Sequence, residues 1–272
     1  MDMRSVHDLM RLDGRSALVT GGAGHIGLAV CEALMELGAG VAVSDIDADA
    51  CRKRCHALNQ QMNGNGQTVP VCADLSKEEE IRKAVLEAAS HFGGLDILVH
   101  SAAFVGTTSY PGWAVPFERQ SLDAWNVAMG INLASAFVLS QAAAPYLKRS
   151  PGASIIFISS IYGLVGPDNR LYHGTGMVTP AAYSASKAGL IQLSRHLGTI
   201  FASENIRVNA VTAGGVDRNQ PESFRGRYID QTPLKRMAIE EDFKGAIAYL
   251  SSDLSAYVTG TNLIVDGGWT AL

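Results

Sequence analysis

Seven short apolar runs alternate with longer segments of helical character, and this alternation constrains the chain more than any other feature. Ser16–Thr20 (SALVT), Val41–Ser44 (VAVS), Thr68–Cys72 (TVPVC) and Leu95–His100 (LDILVH) read as the first four strands. Ala153–Ser159 (ASIIFIS), Ile206–Val211 (IRVNAV) and Asn262–Asp266 (NLIVD) read as the remaining three. They are apolar throughout, as strands covered on both faces are. Helices are expected at about Gly24–Leu37, Asp47–Gln60, Lys77–Phe92, Leu122–Lys148 and Thr179–Ala202, with Ser76 capping the third. The expected fold class is α/β: a doubly wound parallel sheet of Rossmann type, about seven strands with helices on both faces. Ligands of such sheets lie beyond the carboxyl ends of the strands.

With 272 residues, 47% of them hydrophobic, the chain can bury one large core. Without repeats or a linker, residues 1–272 are expected to form a single domain. Two loops break the rhythm, at about 163–180 and 213–234, and both fall on the carboxyl-end rim, where loops tend to be functional. A net charge of −4 without clustered Lys and Arg argues against nucleic acid or anionic membrane as a partner. No apolar run of membrane-spanning length and no signal peptide are evident, so a cytoplasmic location is expected. Cys51, Cys55 and His56 are close in sequence, but no second cluster completes the three or four ligands a metal wants. No metal is expected, and the cysteines are read as reduced thiols.

Gly22 to Gly27 (GAGHIG) follows the first strand directly and opens a helix. Glycines there allow a tight turn and let a pyrophosphate rest on amides at the positive helix end. A chain with 28 glycines produces look-alikes, so context has to support the motif. Asp45 supplies it, ending the second strand where a carboxylate can accept from an adenosine ribose diol; its plainer role is a loop cap. A carboxylate there repels a 2′-phosphate, so NAD is expected over NADP. The Arg52-Lys53-Arg54 run falls within the next helix and reads as a solvated face.

Of eight tyrosines, only Tyr183 has a lysine four residues later, Lys187. On a helix this spacing sets both on one face. A phenol titrates near ~10, and a neighbouring cation can draw it toward the neutral range for proton transfer. Chance supplies such pairs on helix surfaces, but this one opens the helix behind the fifth strand, at the cleft edge.

These motifs together resemble the short-chain dehydrogenase/reductase family, single-domain type, over roughly Gly14 to Trp269. They are Thr20–Gly27 (TGGAGHIG), Asp74, Asn132, Ile158–Ser160 (ISS), Tyr183–Lys187 (YSASK), Ile206–Ala210 (IRVNA) and Val265–Gly268 (VDGG), in that order. The resemblance implies a catalytic set of Asn132, Ser160, Tyr183 and Lys187. Ser160 (chosen over Ser159) would polarise the substrate oxygen and Tyr183 would be the general acid/base. Lys187 would bind the nicotinamide ribose and depress the tyrosine pKa, and Asn132 would hold a relay water at a helix irregularity. The implied cofactor site comprises Gly21, Gly24, His25, Ile26, Gly27, Asp45, Asp74, Leu75, Ala102, Tyr183, Lys187, Gly214 and Val216. Thr212 would join Gly214 along the nicotinamide side.

Departures from the family pattern are as informative. His25 stands at the second glycine of the usual TGxxxGxG, a spacing that also resembles the extended branch acting on nucleotide sugars. His100–Ala103 (HSAA) replaces NNAG, and Ala213 replaces the proline before Gly214. The 23 residues from Ser160 to Tyr183 exceed the family's usual spacing, so residues 163–180 are expected to shape the substrate pocket.

Arg170, His173, Arg218, Arg225 and Arg227 on the two rim loops, with Lys235 and Arg236 after them, suggest a polar small-molecule substrate, one that can carry negative charge. A likeness to oxidoreductases of bacterial surface-sugar pathways points to a sugar-like compound. Helix pairing in the family implies a homotetramer or homodimer. Two other readings stay open: a non-catalytic NAD-sensing protein on this fold, or a nucleotide-sugar epimerase or dehydratase that recycles bound NAD.

Overall fold

The computed structural model describes residues 3–61, 67–106 and 108–272. Ahead of the first strand, Val6–Met10 forms a short helix, α1. The strands are β1 (Ser16–Thr20), β2 (Gly40–Asp45), β3 (Thr68–Cys72), β4 (Ile97–His100), β5 (Ala153–Ser160), β6 (Ile206–Ala213) and β7 (Asn262–Val265). They form one parallel sheet in the order β3-β2-β1-β4-β5-β6-β7. The chain winds outward from β1 to β3, then crosses back to β4 beside β1, where Thr20 pairs with His100. This reversal opens the crevice of a doubly wound sheet.

The main helices are α2 (His25–Glu36), α3 (Ala48–Gln61), α4 (Glu78–Phe92), α5 (Leu122–Met129), α6 (Ser135–Leu147), α7 (Ala181–Ile200), α8 (Glu222–Gln231) and α9 (Lys244–Ser251). Side chains alternate across the sheet. Val19, Val41 and Val43 therefore pack with Val30 and Leu34 of α2, Leu58 of α3 and Ile247 of α9. On the other face Leu18, Leu98 and Ile155 pack with Val85 of α4, Leu139 of α6 and Leu190 of α7. Fully burying a side chain of this size contributes on the order of 1.5–3 kcal/mol.

The long helix is continuous from Leu122 to Leu147 but carries a π-helical turn at Gly130–Ala134 between α5 and α6. Among the described residues it alone is long and apolar enough to cross a membrane by length and composition. Its Ala136, Leu139, Ala143 and Leu147 are instead spent on the core against α4 and α7.

Several expected boundaries shift. Ser76 does not cap α4: its hydroxyl donates to Asp74 Oδ1, Lys77 is the boundary residue, and Glu78, Glu79 and Glu80 charge the first turn. Helix α7 starts at Ala181, not Thr179, because Pro180 holds extended backbone at the boundary and biases its predecessor the same way. Residues 213–234 are not all loop. They contain α8, whose pattern is faint because only Phe224 and Tyr228, one turn apart, are buried.

Candidate active site

The carboxyl ends of β1, β2, β4, β5 and β6 border one cavity of about 1340 Å³. At one end, its wall comprises Gly21, Gly24, His25, Ile26 and Gly27, with Asp45, Asp74, Leu75 and Ala102 beside them. Ser160, Tyr183, Lys187, Gly214 and Val216 line it further along.

The glycine turn is built by backbone proximity. Gly22 N donates to Ser44 O at 2.9 Å and Gly24 N to Gly21 O at 3.0 Å. A Cβ on Gly21, whose φ is +67°, would sit 2.6 Å from Ala102 N, and one on Gly27 would meet Gly21 O at 2.0 Å. No side chain caps α2 at Gly24, so its first amides face the cavity without a side-chain acceptor. Positive helix end, glycine cradle and cavity together fit a dinucleotide pyrophosphate.

Asp45 continues β2 to the rim, where its Oδ1 accepts from Ile46 N at 2.8 Å. Asp74 accepts from both the amide and hydroxyl of Ser76, at 2.9 and 2.7 Å. Arg52 pairs with Asp49, as a solvated residue does. Arg54 is exposed as well, and from that solvated face its Nε reaches back to Ala23 O at 3.4 Å on the glycine turn.

At the far end β5 delivers two serines with opposite tasks. Ser159 Oγ donates to the Lys187 backbone carbonyl at 2.8 Å, which spends its proton. Ser160 Oγ accepts from Tyr162 N at 3.3 Å, which leaves its own proton available. The one-turn spacing on α7 sets Lys187 Nζ 5.7 Å from the Tyr183 ring centre, where it donates to Ile158 O at 2.8 Å. Set against burial, the phenol ends above rather than below its usual value. Burial pushes Tyr183 above its usual value, partly offset by the Ser160 hydroxyl and the Arg218 charge. Burial also pulls Lys187 down to about 8.

Asn132 sits in the π-helical turn, fully buried and off the cavity wall. Its side chain is consumed by Phe104 N (2.5 Å), Phe104 O (3.3 Å) and Ser186 Oγ (3.0 Å). Only its backbone carbonyl turns toward the sheet, where His100 Nε2 lies at 3.3 Å. Thr212 also departs from expectation: it is buried, and its hydroxyl donates to Asn262 Oδ1 at 2.7 Å, away from the cavity.

Beyond Ser160 the cavity is walled by Tyr162, Tyr172, Phe224 and Tyr228, none of which sequence reasoning singled out. The Tyr162 and Tyr172 hydroxyls bond to each other, and Thr179 donates to Tyr172 at 2.8 Å. Tyr228 accepts from Gly215 N at 2.6 Å and stacks on Trp269 at 6.0 Å. Burial pushes Tyr228 up to about 12 and raises Tyr162 further, so both stay neutral. Tyr162, two residues past Ser160, was findable; the others reach the wall only through tertiary packing.

Most of the expected basic side chains are engaged elsewhere. Arg170 pairs with Asp168 and is 86% exposed, while Arg225 pairs with Asp217 and Glu222. Arg227 donates to three backbone carbonyls, Lys235 to Asp230 O and Arg236 to Asp242. Of this group, Arg218 alone among the described residues lines the cavity. Cys51 and Cys55 are buried, His56 pairs with Gln60, and no metal-holding group of His, Cys, Asp or Glu occurs among the described residues.

Comparison with known proteins agrees with this architecture. A family model described as enoyl-(acyl carrier protein) reductase matches residues 21–270. The probable galactose dehydrogenase of Rhizobium meliloti is 34% identical over 269 residues, covering 94% of this chain and 95% of that protein. A short-chain type dehydrogenase/reductase from Mycobacterium marinum superposes with a TM-score of 0.86 at 27% identity, over 99% of this chain and 100% of that one. A gluconate 5-dehydrogenase from Burkholderia cenocepacia J2315, in complex with NADP and tartrate, superposes with a TM-score of 0.85 at 25% identity, over 98% and 100%. The sheet order, the glycine turn at a nicotinamide-cofactor cleft and these similarities lead to one conclusion: the chain belongs to the short-chain dehydrogenase/reductase family, whose members act on CH–OH groups.

Proposed function

We propose that this protein is an NAD-dependent oxidoreductase that interconverts an alcohol and a carbonyl on a polyhydroxylated, sugar-like substrate. The carrying observation is the single continuous cavity. It runs from Asp45 past the glycine turn to Ser160, Tyr183 and Lys187, and on to the tyrosine wall. Bound there, a nicotinamide ring supplies the hydride acceptor or donor.

The chain's own groups handle the proton. Ser160 Oγ, already accepting from the Tyr162 amide, has its O–H to give to the substrate oxygen. Tyr183, held protonated by burial, donates to that oxygen during reduction and must first lose its proton to act as base in oxidation. Oxidation therefore accelerates as pH rises. Lys187 spends one N–H on Ile158 O, which leaves two for ribose hydroxyls. Asn132 acts through position, holding the Phe104 backbone at the cavity wall.

The wall supports the substrate class. Phenol rings present apolar faces to the C–H side of a sugar-like ring, and their hydroxyls present donors and acceptors to its edge. With most rim cations paired, a fixed negative charge on the substrate is not required. Family membership alone leaves this open, since other relatives are named for tropinone, hydroxycyclohexanecarboxylate and 3-oxoacyl carrier-protein chemistry. Neither the sensor nor the cofactor-recycling reading is favoured beside relatives named as dehydrogenases and reductases.

One observation favours NADP as a second reading: Arg54 brings a cation to the glycine turn. Against it stands the Asp45 carboxylate on the same cavity. The deciding experiment follows reduced cofactor formed from NAD and from NADP across sugars, sugar acids, hydroxy acids and cyclic alcohols, with Tyr183→Phe alongside. The expected result is turnover of a sugar-like compound with NAD, lost in the variant while dinucleotide binding remains. Turnover confined to NADP would overturn the cofactor assignment, and turnover confined to cyclic alcohols with a single hydroxyl would overturn the substrate class.

A further inference from the structure

One carboxylate oxygen bridges the two sides of the cleft. Glu240 Oε1 lies 3.3 Å from His25 Nδ1 and 3.4 Å from Arg218 Nε, and all three residues line the cavity. His25 is the first residue of α2, next to the amides of the glycine turn. Arg218 follows Gly214–Asp217 on the opposite side, near enough for its charge to draw down the Tyr183 phenol.

The placement of Glu240 and Arg218 is built into the fold. Val216 bridges to Ala238, Asp217 N donates to Ala238 O at 2.9 Å, and Ala238 N donates to Gly215 O at 2.9 Å. The strand-like pairing ties the Arg218 loop to the segment that carries Glu240. Within the loop, Gln220 accepts from Arg218 N at 2.8 Å and donates to Val216 O at 2.7 Å.

The guanidinium itself is loosely held. Arg236 engages Asp242 through two bonds of 2.6 Å, whereas Arg218 makes one long contact to an oxygen it shares with His25. A single long contact to a shared acceptor is weak and easily exchanged. Two nitrogen donors flanking one carboxylate, at the positive end of a helix, suit an anion that offers more charge and more oxygens.

We propose that Arg218 and His25 clamp the diphosphate of the dinucleotide, and that Glu240 holds both side chains until the diphosphate takes its place. The clamp rests on the reading that this cleft binds a nicotinamide dinucleotide. Glu240 is then a competitor for the same donors: it holds them when the cleft is empty and costs affinity when the cofactor enters.

The test is direct binding, read by NADH fluorescence (or NADPH, if that binds) and by calorimetry with ADP and with adenosine. Wild type, Arg218→Ala, Arg218→Lys and Glu240→Gln are compared. Arg218→Ala is expected to weaken NADH and ADP by about 10- to 100-fold, the loss of one charge-assisted hydrogen bond, and to leave adenosine unchanged. Arg218→Lys recovers part of the loss, and Glu240→Gln tightens NADH severalfold. An unchanged NADH affinity in Arg218→Ala, with only the substrate KM raised, would overturn the clamp and assign Arg218 to the substrate. Glu240→Gln weakening NADH as much as Arg218→Ala would overturn the competition. Wild type binding neither dinucleotide would instead sink the cofactor reading and the clamp with it.

Discussion

His100 Nε2 lies 3.3 Å from the Asn132 carbonyl oxygen, and His100 Nδ1 lies 2.8 Å from the Thr20 hydroxyl. A carbonyl only accepts, so Nε2 carries the proton and Nδ1 accepts from Thr20. That is the neutral tautomer, and burial pulls the His100 pKa down to about 3. The residue that stands in place of the family's asparagine thus ties β1, β4 and the π-helical turn together without charge.

Neutrality has a consequence for acid stability. An unfolded imidazole titrates near ~6.5, so between about 3 and 6.5 the unfolded chain binds a proton that the folded one refuses. Stability then falls as pH drops through this window. Urea unfolding at pH 6.5 and pH 5 should show a loss on the order of 2 kcal/mol attributable to His100, absent in His100→Gln. Equal pH slopes for the two proteins would show that His100 is not the titrating group.

Much of this arrangement was legible in the sequence, because backbone demands leave residue-type signatures. Gly21 and Gly27 are needed where a Cβ would strike Ala102 N or Gly21 O, and Asp45 follows from strand β2 reaching the rim. Tyr183 and Lys187 share a helix face by spacing alone. The tyrosine wall was not legible, since Tyr172 reaches it from the 3-10 turn Asn169–Tyr172 and Tyr228 from α8, two short elements far apart in sequence whose own patterns are faint. Nor was the engagement of the basic residues: Arg225 and Arg227 look like ligands in sequence, and only packing reveals their carboxylate and carbonyl partners.

Lys187 shows the cost of burying an ammonium beside the cavity. It is 3% exposed, its ammonium has one carbonyl partner, and burial lowers it to about 8. The unfolded lysine titrates near ~10.4. Across the interval the unfolded chain holds the extra proton, so stability rises with pH there, and the penalty is fully present below about 8. Lys187→Met should therefore stabilise the unliganded protein at pH 7 by roughly 1–3 kcal/mol while abolishing turnover. A variant less stable than wild type in urea would mean that the Ile158 bond outweighs the buried charge.

Helix α8 fixes the part of the cavity wall on which the proposed function seats the substrate. Arg227 Nη1 donates to the backbone carbonyls of Arg170 (3.3 Å), Leu171 (3.1 Å) and His173 (2.7 Å), and Gln231 Nε2 donates to Asp168 Oδ2 at 2.8 Å. These bonds grip the 3-10 turn Asn169–Tyr172, which carries Tyr172 onto the wall beside Phe224, 5.3 Å between ring centres. Neither Arg227 nor Gln231 lines the cavity, so they act on substrate only by holding the turn. In Arg227→Ala the carbonyls return to water, the turn loosens and Tyr172 loses its fixed position. Losing a bond set of this kind costs about 1.5–3 kcal/mol, so the substrate KM should rise about 10-fold or more. The glycine turn and Asp45 lie elsewhere on the cavity, and NADH affinity should be unchanged. If NADH affinity falls while KM holds, α8 supports the cofactor cleft rather than the substrate wall. If neither moves, the Asp168 and Gln231 pairing alone suffices to hold the turn.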